Sequence, residues 1–172
     1  VWSTVRDAGG LKLWLFESAS VELDPDPARA ASAPVKVRVR ELTLQQATVG
    51  VGVSANTGPR VTLEHRHRRP FGLDWVATNK FEVGSSIKSW SGELISHPLD
   101  GLYRNLVAGS AERLRSGEEI RTAWTARLGR TQDTQRIERL YFAELTHARV
   151  DNPAGRTRSE AVTGNYHWIY RD

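Results

Sequence analysis

Apolar and polar side chains alternate along most of the chain after residue 46, in segments that Gly, Pro, Asn, Asp or Ser residues separate. A period of two is typical of β-strands whose two faces meet different surroundings. No segment after residue 46 has the period of an amphipathic helix, so the pattern predicts an all-β fold, an antiparallel meander. Eight strands are predicted, two in the opening hairpin 47–64 and one each in segments 73–83, 87–97, 103–114, 119–129, 136–150 and 158–170.

The opening hairpin has the clearest two-sided pattern. Its first strand has Val49, Val51 and Val53 on one side, and Thr48, Gly50, Gly52 and Ser54 on the other. Glycine inside a strand weakens it and lets another backbone come close, so this strand is predicted to pair weakly. Asn and Gly tolerate positive φ, and Pro suits the first residue of a strand, so these residues predict the turn: Asn56, Thr57, Gly58 and Pro59.

Two environments produce such alternation. In water the apolar face is buried in a sandwich or closed barrel, whereas an outer-membrane barrel turns it to lipid and keeps a polar lumen. Charges on the predicted polar face favour a wet interior: Lys80, Glu82, Glu93, Arg121 and Arg127. Six aromatic residues favour a membrane girdle over a soluble core: Trp75, Trp90, Trp124, Tyr166, Trp168 and Tyr170. Alternation alone does not separate the two environments.

Residues 1–45 have a different pattern of apolar and polar residues. Three valines alternate with three basic residues over 35–40, which predicts a half-buried strand with a charged outer face. A second strand is predicted at Ser20–Leu23. Together these strands indicate the end of a small α+β domain that faces water, so the chain is predicted to divide into domains at 1–45 and 46–172.

Composition narrows the function classes. The chain has 24 Lys and Arg against 20 Asp and Glu, for a formal charge of +4. The basic residues are scattered rather than gathered in a run, so no nucleic-acid partner is predicted. Cys is absent, which excludes disulfides and thiolate chemistry within these residues. Met is absent even at position 1, so the chain is expected to begin inside a gene product or after processing.

Catalytic chemistry has little support in the sequence. His65 and His67 share a strand face and are candidate metal ligands, but no third ligand is evident and a surface role is favoured. No nucleophile elbow or other catalytic motif is present. Gly50 and Gly52 precede no helix, so they form no phosphate loop. The sequence therefore predicts a protein that is not an enzyme and that holds no metal or cofactor.

Three segments together resemble one protein family. They read PVKVRVRE at 34–41, TVGVG at 48–52 and NTGPR at 56–60. In this register they resemble the TamA-like branch of the BamA/TamA superfamily of outer-membrane protein assembly factors. In that family the last POTRA domain, a periplasmic α+β module, runs directly into the first barrel strand. The resemblance covers most of residues 18–172, whereas residues 1–17 depart from it.

The resemblance implies a POTRA-like domain at 1–45 in the periplasm. It also implies that residues 46–172 are the N-terminal half of a bacterial outer-membrane barrel of about sixteen strands. The implied function is insertion or secretion of client β-proteins. The implied partners are client outer-membrane proteins or autotransporters, a TamB-like periplasmic protein and the lipid bilayer.

The candidate functional site is the first barrel strand, as a lateral gate where client strands dock: Val49, Gly50, Val51, Gly52, Val53 and Ser54. A closed barrel has no free edge, so an assembly factor needs one seam that opens at low cost. The alternative is that the glycines only fit a crowded lumen wall. Two other functions stay open, a small eight-stranded outer-membrane pore or adhesin and a soluble lipocalin-like binding protein.

Overall fold

A computed structural model of the chain describes residues 16–23, 35–55 and 58–171. The chain divides into two compact units, Val1–Leu44 and Gln45–Asp172. The helical segments in the described part are single short turns, and none is long and apolar enough to cross a membrane.

The described part of the first unit is an antiparallel pair of strands. β1 (Phe16–Leu23) pairs with β2 (Val35–Glu41). The register of this ladder shifts once, between Phe16 and Ser18. Both strands were predicted, and β1 begins earlier than the predicted Ser20. The POTRA-like identity of this unit stays a prediction.

The charged face of β2 is exposed as expected, and two valines on its other face are partly exposed. The exposed fraction is 44% for Val37 and 42% for Val39. These two valines are thus partly exposed, and the half-buried strand stays a prediction.

The second unit is an eight-stranded antiparallel sheet in the described residues. Each strand pairs with its neighbours in the chain, so the strands follow one another across the sheet from β3 to β10. This order confirms the predicted meander. The strands are β3 (Gln45–Ser54), β4 (Gly58–His67), β5 (Trp75–Gly84), β6 (Ile87–Ser96), β7 (Tyr103–Ser116), β8 (Glu119–Asp133), β9 (Ile137–Asn152) and β10 (Gly155–Tyr170).

The later strands run further than the sequence pattern predicts. β8 ends at Asp133 rather than at residue 129, and β10 begins at Gly155 rather than at residue 158. Ser116 pairs with Glu119 across a two-residue turn in which Gly117 has a φ of 60°. A tight turn of this kind needs no further residues, so the ladder continues up to the turn itself.

The sheet is open. β3 and β10 are its two outer edges, and no ladder joins them in the described residues. The edges also differ in length, with 10 residues in β3 and 16 in β10. The described strands therefore do not form a closed eight-stranded barrel.

The register places the predicted faces on opposite sides of the sheet. Directly opposed residues of an antiparallel ladder share a face. Val51, Val61 and Val83 form one row and define the apolar face, which carries the three β3 valines and all six predicted aromatic residues. Arg127 and Glu144 oppose each other on the polar face. The other charged residues predicted there also lie on it: Lys80, Glu82, Glu93 and Arg121.

No second layer covers either face of the sheet within residues 45–55 and 58–171. Ala77 and Leu106 are the only buried hydrophobic residues among those described. The exposed fraction reaches 84% for Val51, 68% for Tyr166 and 66% for Leu128. A soluble sandwich or lipocalin-type barrel buries such side chains in a core. The described sheet lacks the core that a soluble interpretation requires.

Candidate functional site

The first strand of the sheet, β3, is an edge strand. It pairs with β4 without a bulge, from Gln45 opposite His67 to Ser54 opposite Gly58, and with no other described strand. Alternate N–H and C=O groups along its outer side are therefore left without ladder partners among the described residues. Such a row is a template for another strand. The structure thus places the predicted gate residues at an edge of the sheet.

The apolar side of β3 is widely exposed. The exposed fraction is 68% for Val49 and 84% for both Val51 and Val53. Three consecutive alternate valines form an apolar stripe that follows the free edge. An incoming strand that paired with this edge would meet backbone groups that have no ladder partner among the described residues, together with exposed apolar side chains.

The two glycines of β3 have different surroundings on the polar face. A Cβ at Gly50 would lie 2.6 Å from Thr62 Oγ1, and this hydroxyl donates a hydrogen bond of 3.4 Å to the Gly50 carbonyl oxygen. A Cβ at Gly52 would lie 3.7 Å from Arg60 Nε, which is ordinary contact. The crowded-wall interpretation therefore applies to Gly50. Gly52 has room for a methyl group, so packing does not account for it.

The turn after β3 is described only in part. Asn56 and Thr57 lie outside the described residues. Gly58 has a φ of 70°, and a Cβ there would lie 2.7 Å from Ser85 Oγ. Pro59 is the second residue of β4, where it lies opposite Val53. Glycine at 58 thus meets both a conformational and a steric requirement.

Cross-strand ion pairs run over the polar face. Arg60 Nη1 lies 3.1 Å from Glu82 Oε1, and Arg127 Nε donates to Glu144 Oε2 at 2.9 Å. A third pair joins Lys80 Nζ to Glu64 Oε1 at 2.9 Å. These pairs bridge neighbouring strands and remain partly accessible, which is the chemistry expected of a wall that faces water.

A polar cleft of about 390 Å³ lies on the same face. Small and polar side chains line much of it, and Ser110 and Thr125 share a hydrogen bond of 2.8 Å there. Lys80, Glu93 and Arg127 contribute charges of both signs to the lining. The cleft therefore has the character of a solvated polar surface.

Two tryptophans of the apolar face, Trp90 and Trp124, have defined neighbours. A Cβ at Gly92 would lie 2.6 Å from the Trp90 ring, and one at Gly109 would lie 3.6 Å from it. Gly92 and Gly109 oppose each other in the ladder, so together they leave room for this ring. Trp124 stacks on His147 with ring centroids 5.6 Å apart.

The two histidines considered as metal ligands sit near the end of β4. The ring centroids of His65 and His67 are 6.2 Å apart. The described residues contain no group of three or more His, Cys, Asp or Glu side chains placed to hold a metal ion. His67 Nδ1 accepts a hydrogen bond of 3.1 Å from the backbone N–H of Arg69, so this ring has a local structural role.

These features define a class of protein. A meander with one exposed apolar face and one ion-paired polar face, as in the described strands, has the pattern of an outer-membrane β-barrel wall. No family model and no curated protein sequence matches the chain.

Among solved structures, the chain is similar to the crystal structure of BamA from Haemophilus ducreyi lacking POTRA domains 1–3. The TM-score is 0.59 at 10% sequence identity, and the match covers 99% of this chain and 37% of that chain. At this identity the similarity shows the fold, which is that of a BamA-type barrel segment. The narrower assignment to the TamA-like branch stays a prediction.

Proposed function

We propose that this chain is part of a bacterial outer-membrane assembly or translocation factor, which inserts or secretes client β-proteins through a weakly closed barrel seam. The observation that carries the proposal is the free edge of β3, with its apolar stripe, in a sheet that has the BamA-type fold. The chain spans 37% of that structure, so further strands would complete the barrel.

An outer-membrane location accounts for the two uncovered faces. Exposed apolar surface of this extent is unfavourable in water, whereas lipid removes the penalty. The ion pairs of the polar face require a wet lumen on the other side. In this arrangement the predicted N-terminal domain, residues 1–45, lies in the periplasm as a POTRA-like module, where a TamB-like partner would reach it.

The proposed mechanism is β-augmentation at β3. An incoming client strand bonds to the outer side of Val49–Ser54, while the β3 valines contact its apolar side chains. Each glycine in a strand interior costs about 0.5–1 kcal/mol relative to alanine, which is similar to the net value of one hydrogen bond. Gly52 can therefore weaken the seam without being required for packing.

Site-specific crosslinking tests the docking edge. Val51→Cys places a thiol on the free edge, and Val83→Cys places one in the same row on β5, where strands lie on both sides. The chain has no native Cys, so each thiol is unique within these residues. In the full-length protein, Val51→Cys should crosslink to a stalled client strand that carries a cysteine, and Val83→Cys should not.

A disulfide between β3 and the last strand of the complete barrel tests the gate. Locking this seam should abolish assembly of a client β-protein in reconstituted vesicles, and reduction should restore it. Full activity with the seam locked, or equal crosslinking at Val51 and Val83, would refute the gate.

A glycine substitution separates weak pairing from packing. Gly52→Ala meets no close atom, so the fold should be retained while strand pairing becomes stronger and client release slower. Gly50→Ala would instead push against Thr62. Unchanged assembly kinetics in Gly52→Ala would remove this glycine from the mechanism.

A further inference from the structure

Three cations converge beside the β5–β6 turn, at the hairpin end of the sheet. Lys88, Arg113 and Arg115 line a cleft of about 180 Å³ together with Ser85, Ser86 and Ile87. Lys88 and Arg113 oppose each other in the ladder, and Arg115 follows two residues along β7, so all three lie on the apolar face. In the sequence, this cluster is visible as basic residues at every second position of a strand, beyond the point where the alternate positions stop being apolar.

The local backbone holds the cleft together. The N–H of Arg115 donates a hydrogen bond of 2.7 Å to the Ser86 carbonyl oxygen. This bond ties the end of β7 to the turn that precedes Lys88. The three cations are therefore brought together by the ladder and the turn.

No described carboxylate lines this cleft, and none forms an ion pair with Lys88, Arg113 or Arg115. Glu82 and Glu112 line the groove that adjoins it. The β9–β10 hairpin, at the same end and on the same face, provides a contrast. There Arg149 and Arg156 pair with Asp151, and Arg158 pairs with Glu160. The cation cleft can therefore bind an anion, whereas the arginines of the β9–β10 hairpin are already paired with carboxylates.

An apolar groove continues from the cation cleft along the sheet. Its volume is about 360 Å³, and Val83, Trp90 and Trp124 are among its lining residues. Lys88 and Arg113 line both spaces, and the groove then passes Ala111 between Trp90 and Trp124. Residues alternate every two positions along a strand, so Trp90 lies about 7 Å further from the turn than Lys88. The combined surface has a cationic end and an apolar body.

We propose that this surface binds a phosphate-bearing anionic membrane lipid. The headgroup phosphate lies among Lys88, Arg113 and Arg115, and an acyl chain follows the groove between Trp90 and Trp124. Arginine forks suit phosphate oxygens, and the ammonium of lysine adds a point charge. The membrane setting rests on the proposed function, but the lipid site does not depend on the gate.

Native mass spectrometry of the full-length protein, titrated with phosphatidylglycerol or phosphatidylcholine of identical acyl chains, tests the site. The wild type should bind phosphatidylglycerol more tightly, by about tenfold. Combined substitution of Lys88→Gln, Arg113→Gln and Arg115→Gln should remove this preference. The matched control substitutes three paired cations at the same end, Arg149→Gln, Arg156→Gln and Arg158→Gln, and should change the affinity less than about twofold.

Other outcomes would overturn the proposal. Equal loss in the control triple variant would mean that diffuse charge attracts the lipid. Competition by inorganic phosphate at the concentration of the lipid would show that the groove contributes nothing. A photoreactive acyl chain should label peptides that contain Ala111 or Trp124. Absence of this label would show that the acyl chain does not bind in the groove. If the lipid preference holds while Val51→Cys fails to capture a client, the proposed function fails and the lipid site stands.

Discussion

Two alanines of β8 lie on opposite faces of the sheet. Substituting each of them by arginine tests which face meets lipid and which meets water. Ala126 is exposed on the apolar face, where Gly109 and Leu145 oppose it. Ala123 lies three residues earlier on the polar face, opposite Glu112. Arginine at either position adds the same volume and charge to the same strand, so differences in stability report the surroundings of each face.

The expected effect is large for Ala126→Arg and small for Ala123→Arg. Residue 126 is at the middle of β8 (Glu119–Asp133), and an arginine on the lipid side at mid-membrane costs about 2–4 kcal/mol. Arginine at 123 enters the wet face and gains Glu112 as an opposite charge, which is worth about 0.2–1 kcal/mol. At about 1.4 kcal/mol per factor of ten, the folding constants should differ by about 30-fold or more.

Denaturant titration of the full-length protein folding into vesicles measures both variants. The free energy of unfolding of Ala126→Arg should fall by at least about 2 kcal/mol, and that of Ala123→Arg should stay within about 1 kcal/mol of the wild type. Equal losses, or a larger loss at Ala123, would contradict the assignment of the apolar face to lipid.

Further substitutions test the packing of each face. Gly92→Val should destabilise the fold by about 1–3 kcal/mol, because its Cβ would displace the Trp90 ring, whereas Gly164→Val, with no atom within 4 Å of the added Cβ, should be nearly neutral in the same titration. A double-mutant cycle on Arg127 and Glu144 should give a coupling of about 0.2–1 kcal/mol that decreases with salt, because both side chains are partly exposed. A coupling insensitive to salt would contradict a wet polar face.

The period of two predicted most of this sheet because it follows from backbone geometry. Each residue of a strand turns to the side opposite its neighbour, so the faces of β3 and β8 can be assigned without knowledge of any partner strand. The eight strands and their order were predictable for the same reason, since short turns join neighbours. The edge position of β3 depends on which strands pair, and pattern alone does not give that.

In β9 the alternation of apolar and polar residues does not predict the two faces of the strand. Leu140 and Phe142 alternate with Tyr141, so neither face is clean in the sequence. The structure places Phe142 on the polar face, where the Arg127 guanidinium lies 4.3 Å from its ring centroid. Gly129 lies opposite Phe142, and a Cβ there would collide with it. This apolar residue is accommodated by contacts from another strand, which local sequence does not encode.

The cation cleft was missed for a related reason. Arg113 and Arg115 lie at alternate positions of the strand, as the period of two requires, but they are charged where apolar residues are expected. β7 extends beyond the apolar stretch to Ser116, so the same face changes character near the hairpin end. A rule that assigns one polarity to a whole strand treats these arginines as poor alternation.

The order of strands in the meander has a consequence for how the sheet forms. Every described ladder joins strands that are adjacent in sequence, so the loops to be closed are short and the contact order of the sheet is low. Closing a short loop loses little chain entropy, and each completed hairpin then presents its outer strand as a nucleus for the next. The described sheet can therefore assemble stepwise along the chain, and the slow step left for a complete barrel is the distant pairing that brings its first and last strands together.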